Sequence, residues 1–191
     1  MDMKIVTLTL LTSLAFLGCE RPPSLADGEQ GWHFQGRDCL ACHNVDLGED
    51  KHLFFAGTLY KDKNVTDQDN IENVCGGKFV VNFLDGDFNS VFSSKTYEDS
   101  NSKGYDAKGN IFVLNRKNPN LSAETYHIQI LDKATNKILA VSNYTHKFNL
   151  EAYDVKNPQS TENRISCNSC HNSTKGFTAP LYVQANKNLC K

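Results

Sequence analysis

The five residues Cys39-Leu40-Ala41-Cys42-His43 recur in pattern as Cys167-Asn168-Ser169-Cys170-His171, far apart in a chain of 191 residues. No other feature constrains the fold so strongly. Thiols three positions apart share one side of a helical turn, and a histidine in the next position joins that side. C-x-x-C-H is the attachment signature of a c-type haem. The thiols add across the two vinyl groups on one porphyrin edge, and the imidazole reaches the iron. One copy alone would also suit a thioredoxin-like redox pair or half of a zinc site. Two copies favour haem, because two C-x-x-C pairs converging on zinc would leave both histidines without a role. The expected cofactors are two c-type haems (iron), attached at Cys39, Cys42, Cys167 and Cys170, with His43 and His171 as proximal ligands.

The N-terminus fits export to the compartment where such haems are attached. Lys4 precedes an uncharged apolar run, Ile5 to Leu17, which is shorter than the roughly 20 residues that span a bilayer. The run ends in Phe16-Leu17-Gly18-Cys19, which looks like a bacterial lipoprotein signal with Cys19 as the lipidation site; an ordinary signal peptide cut nearby is the alternative. Arg21-Pro22-Pro23-Ser24 then reads as a tether. The expected divisions are 1–18 signal peptide, 19–31 flexible tether, 32–52 first haem segment, 53–150 β-sandwich, and 151–191 second haem segment and C-terminus. The formal net charge of −2 and the scattered lysines exclude a basic nucleic-acid surface. The propionates of two haems would make the loaded protein more acidic still.

Of seven cysteines, four belong to the motifs and one to the lipoprotein signal, leaving Cys75 and Cys190. In an oxidising compartment this pair suggests a disulfide, against the alternative of two separate thiols. Both methionines, Met1 and Met3, lie in the signal peptide, so His/Met ligation is closed to the mature chain. The candidate distal ligands are His33, which with Gly36 forms a His-x-x-Gly approach to Cys39, then His146 and His52. His127 falls in Tyr126-His127-Ile128-Gln129-Ile130-Leu131, where Tyr126, Ile128 and Ile130 share a face and His127 is expected on the solvated one.

Between the motifs the chain alternates in short stretches: Leu53 to Tyr60, Lys78 to Leu84, Ser90 to Thr96, Ile111 to Asn115, Glu124 to Leu131 and Lys137 to Tyr144. Gly-, Asp- and Asn-rich turns separate them. Phe79, Val81 and Phe83 alternate with Lys78, Val80 and Asn82, as in a half-buried strand. The expected fold is mainly β, a β-sandwich (Ig-like or prealbumin-like) with haem-bearing N- and C-terminal segments as appendages. Asp85-Gly86-Asp87-Phe88-Asn89 reads as a hairpin turn, since a calcium loop would need further ligands and a closing Glu.

Gly36 to His43, Phe55-Ala56-Gly57-Thr58-Leu59-Tyr60, the mid-chain Cys75, Gly109-Asn110-Ile111-Phe112 and Cys167 to His171 occur in that order. Together they resemble small extracytoplasmic dihaem c-type cytochromes in which a carboxypeptidase-regulatory-like β-sandwich is bracketed by C-x-x-C-H motifs. The resemblance implies a lipid-anchored electron carrier in the bacterial periplasm or at the outer-membrane surface, with other redox proteins (cytochromes) as partners. Two competing functions are a small dihaem peroxidase-like enzyme with one open iron site, and a structural or filament-forming cytochrome subunit.

Overall fold

A computed structural model describes residues 34–94, 109–115, 121, 125–147, 156, 166–173 and 178–190. The expected signal peptide and tether, Cys19 and His33 lie outside these residues. The described chain is mainly β. Its strands are β1 (Leu53–Thr58), β2 (Phe79–Leu84), β3 (Ser90–Ser93), β4 (Asn110–Leu114), β5 (Thr125–Asp132), β6 (Ile138–Val141) and β7 (His146–Lys147). Two short helical turns, α1 (Cys39–His43) and α2 (Cys167–Cys170), carry the paired motifs.

All pairs between these strands are antiparallel. β1 pairs with β4, and a second sheet runs β3-β2-β5-β6 with β7 also paired to β5. The sheets share one core, in which β1 and β4 contribute Leu53, Phe55, Ile111 and Val113, and β2 and β5 contribute Phe79, Val81, Phe83, Tyr126 and Ile130. Phe83 is its centre. The Phe55 ring meets it edge-on at 5.4 Å, Tyr126 at 6.3 Å and Phe92 at a tilt at 5.2 Å. Such pairs add about 0.5–1.5 kcal/mol each beyond the burial of their area.

Three expectations are corrected. β2 is buried on both faces, not alternately, because apolar Val80 and polar Asn82 both lie under cover. Asn82 manages this by donating its side-chain amide to Gln129 at 2.9 Å on the neighbouring strand. His127 is likewise buried, its Nδ1–H donating to the Ser142 carbonyl at 2.9 Å. Phe88, at φ 63° in the β2–β3 turn, stacks on the imidazole at 4.4 Å. An aromatic lid from a neighbouring hairpin thus covers a face that local alternation assigns to water.

Thirdly, the motif segments are not appendages. Leu40 of α1 is completely buried in the shared core. The C-terminal stretch is bonded to both sheets' surroundings: Tyr60 N–H donates to Leu181, Val183 N–H to Tyr60, and Gln184 N–H to Leu139 on β6. Val183 is fully buried there, and Cys190 is disulfide-bonded to Cys75 across 115 positions of sequence. The Asp85 turn is closed by its own groups: the carboxylate accepts from the N–H of Asp87 and Asn89, each at 2.9 Å.

Candidate haem-attachment site

The first motif is prepared by its approach. Gly36 sits at φ +77°, and a Cβ there would lie 2.5 Å from the Tyr60 hydroxyl and 2.7 Å from Gln68 Cβ. Only glycine fits both the dihedral and the space. Asp38 caps α1 by accepting from Leu40 N–H at 3.2 Å. After the turn, Asn44 grips the start of β1 with both ends of its amide, donating to Leu53 O at 2.9 Å and accepting from Leu53 N–H at 2.8 Å. His43 directs its Nδ1–H at the Lys51 carbonyl, 2.9 Å away and eight residues downstream.

The second motif repeats this unit. The His171 N–H closes α2 on Cys167 O at 2.7 Å, and Thr178 Oγ1 donates to Cys170 O at 3.0 Å. His171 Nδ1–H donates to the Ala179 carbonyl at 2.9 Å, again eight residues downstream. With the proton on Nδ1, the lone pair of each imidazole is on Nε2. This is the usual arrangement of a metal-bound histidine, whose second nitrogen is held by a carbonyl that fixes the tautomer and raises basicity. Burial also lowers the His171 pKa from its ordinary value, partly offset by the Ala179 bond, which favours the neutral, ligating form.

β1 joins the two units, although they are more than a hundred residues apart. Ser166, the residue before α2, bridges to Ala56 in parallel fashion and donates its hydroxyl to Asp38, the cap of α1. Gly57 lets α2 approach the strand: a Cβ there would stand 2.6 Å from Cys167 Cβ and 3.1 Å from its Sγ. Thr58 is the polar hub. Its N–H donates to Asn168 Oδ1 at 3.0 Å, its hydroxyl accepts from Gly36 N–H and Asn168 Nδ2 at 3.0 Å, and it donates to Asn110 Oδ1 at 2.9 Å. Asn168 Nδ2 also reaches Arg37 O at 2.8 Å, so the second motif holds the approach to the first. Asn168 and Thr58 were not singled out by the sequence. An asparagine inside C-x-x-C carries no local signal of a partner over a hundred residues away.

Cys39, Cys167 and Cys170 are free thiols, whereas Cys42 is disulfide-bonded, a state that a thioether at the same sulfur would replace. Burial, with Asp38 beside it, pushes the Cys39 thiol up to about 12. Cys167 is also raised, by burial first and then by Cys39 and Cys170. A thioredoxin-like nucleophile needs the opposite, a depressed pKa. Among the described residues no group of three or more His, Cys, Asp or Glu side chains converges to hold a bare metal ion, as a four-thiolate zinc site requires. The paired thiols and the histidine of each motif are the donor types that a c-type haem would take.

Of the candidate distal histidines, His146 on β7 lies with its ring centroid 6.2 Å from that of His171. His52 follows the turn Glu49–Lys51, and its Nε2–H donates to Leu47 O at 3.1 Å. Among the described residues, no helix is long and apolar enough to cross a membrane. Comparison with protein-family models, with curated proteins and with solved structures finds no match to this chain.

Proposed function

We propose that this chain is a dihaem c-type cytochrome that passes electrons between redox proteins outside the cytoplasm. The observation that carries the reading is the twice-built C-x-x-C-H unit, each a helical turn whose histidine donates Nδ1–H to the carbonyl eight residues on. When bound, each haem supplies a one-electron iron couple. Cys39, Cys42, Cys167 and Cys170 hold it by thioether bonds. His43 and His171 ligate through Nε2, oriented by Lys51 O and Ala179 O. Gly57 and Thr58 keep the motifs side by side, which favours exchange within the molecule before a partner is met. The two sheets are read as the layers of an Ig-like or prealbumin-like β-sandwich. Export, acylation at Cys19 and a place in the periplasm or at the outer-membrane surface complete the proposal, resting on residues 1–31.

Expression in a host that matures c-type cytochromes tests this directly. The expected product keeps its colour through denaturation and acid-acetone extraction, and its mass exceeds that of the polypeptide by two haems. Its optical spectrum should change reversibly on reduction. Colourless polypeptide, or zinc bound through the same sulfurs, would refute the function.

A further inference from the structure

We propose that His146 is the second axial ligand of the iron held by His171, an inference that rests on the dihaem reading above and selects one of its candidate histidines. His146 opens β7, and the pairing of Tyr126 with His146 fixes its main chain against β5. Its half-buried ring lies 6.2 Å, centroid to centroid, from that of His171, with the planes 41° apart. Two collinear metal–nitrogen bonds of about 2 Å, with about 1.2 Å from each nitrogen to its ring centre, put two trans imidazoles about 6.3 Å apart. The two rings therefore stand at the span of a bis-imidazole pair. Two imidazoles on one iron can take any angle between their planes, and here it is 41°. His171 already gives Nδ1–H to Ala179, which assigns Nε2 to the metal.

His52 is held by the loop that follows α1. Its Nε2–H is spent on Leu47 O, in the loop that follows α1, and its own carbonyl accepts from Asn115 N–H at 2.7 Å. Ligation through that nitrogen would break the bond that holds the ring. Filling the second site of the His171 iron with a strand-borne imidazole makes that haem a low-spin, outer-sphere centre. It also ties the β5–β7 pair to the C-terminal segment through the metal.

The test uses full-length holoprotein: wild type, His146→Ala and His52→Ala, with low-temperature EPR and optical spectra. His146→Ala should convert one of the two haems from low spin to high spin, and added imidazole should restore the low-spin signal. His52→Ala should leave both haems as in wild type. Two low-spin haems in His146→Ala, a high-spin haem that imidazole does not rescue, or a high-spin haem produced by His52→Ala instead, would each overturn the assignment. Should His146→Ala fail to fold, His146→Met serves: one haem should stay low spin with a raised potential, and unchanged potentials overturn the assignment. Wild-type protein without covalent haem overturns the dihaem reading itself, a result visible before any variant is compared.

Discussion

Replacing Asn168 by alanine should be among the most damaging single changes outside the cysteines. Asn168 is 1% exposed and makes three hydrogen bonds, to Thr58 N–H, Thr58 Oγ1 and Arg37 O, at 2.8–3.0 Å. Each such bond contributes about 0.5–1.5 kcal/mol net, and a buried partner left unsatisfied costs about 1–3 kcal/mol. Thr58 is fully buried, so its amide loses its partner without gaining water. The loss should fall near 3–4 kcal/mol, the upper part of the summed range, because the strand cannot move to find another acceptor. At about 2–4 °C per kcal/mol for a chain of this size, the midpoint should drop by roughly 10 °C. Thermal and urea unfolding of the holoprotein measure this. Thr58→Val provides a double-mutant cycle, with an expected coupling of about 1–3 kcal/mol. A loss under about 1 kcal/mol, or strict additivity with Thr58→Val, would refute the idea that this amide binds the motifs together.

Other expectations are simpler. The Cys75–Cys190 bond spans 115 positions, so Cys75→Ser with Cys190→Ser should cost about 5 kcal/mol in the chain-entropy account, and unfolding with and without reductant checks it. Gly57→Ala puts a Cβ 2.6 Å from Cys167 Cβ; it should cost about 1–3 kcal/mol and, on the dihaem proposal, shift the potential of the haem at the second motif, and unchanged stability would contradict the packing. Hydrogen bonds from Asn89 and Asp87 hold the Asp85 carboxyl below its usual range. Its contribution is therefore present above about pH 4 and lost as pH falls through the lower folded value. The stability advantage of wild type over Asp85→Asn should close in acid, whereas a pH-independent difference would count against the turn's electrostatics.

The strands were legible because their short apolar runs and the turn residues between them are local signals. All six expected stretches overlap a strand, and the ends that are described differ most at β6, which stops at Val141 rather than at Tyr144. The two-residue β7 was missed; so short a strand has no periodicity and exists only because β5 offers it a partner. His127 misled for a related reason. Alternation reports which side of a strand a residue occupies, but not whether Phe88 from another hairpin covers that side. The motif residues were legible from spacing alone. Their meeting on β1 was not, since it depends on Gly57, Thr58, Ser166 and Asn168, ordinary residues whose bonds cross more than a hundred positions. The same holds for the approach of His146 to His171.

β1 has every residue buried, and the two motif units lean on it from Leu53 at one end to Thr58 at the other. A disturbance of this strand is felt in common by both motif units, whereas one confined to α1 or α2 is felt by one of them alone. On the dihaem proposal, separate tuning of the two potentials would therefore come from changes around each helical turn. The shared beam underneath should tolerate almost none, and a mutational scan would find its six positions the least forgiving in the molecule.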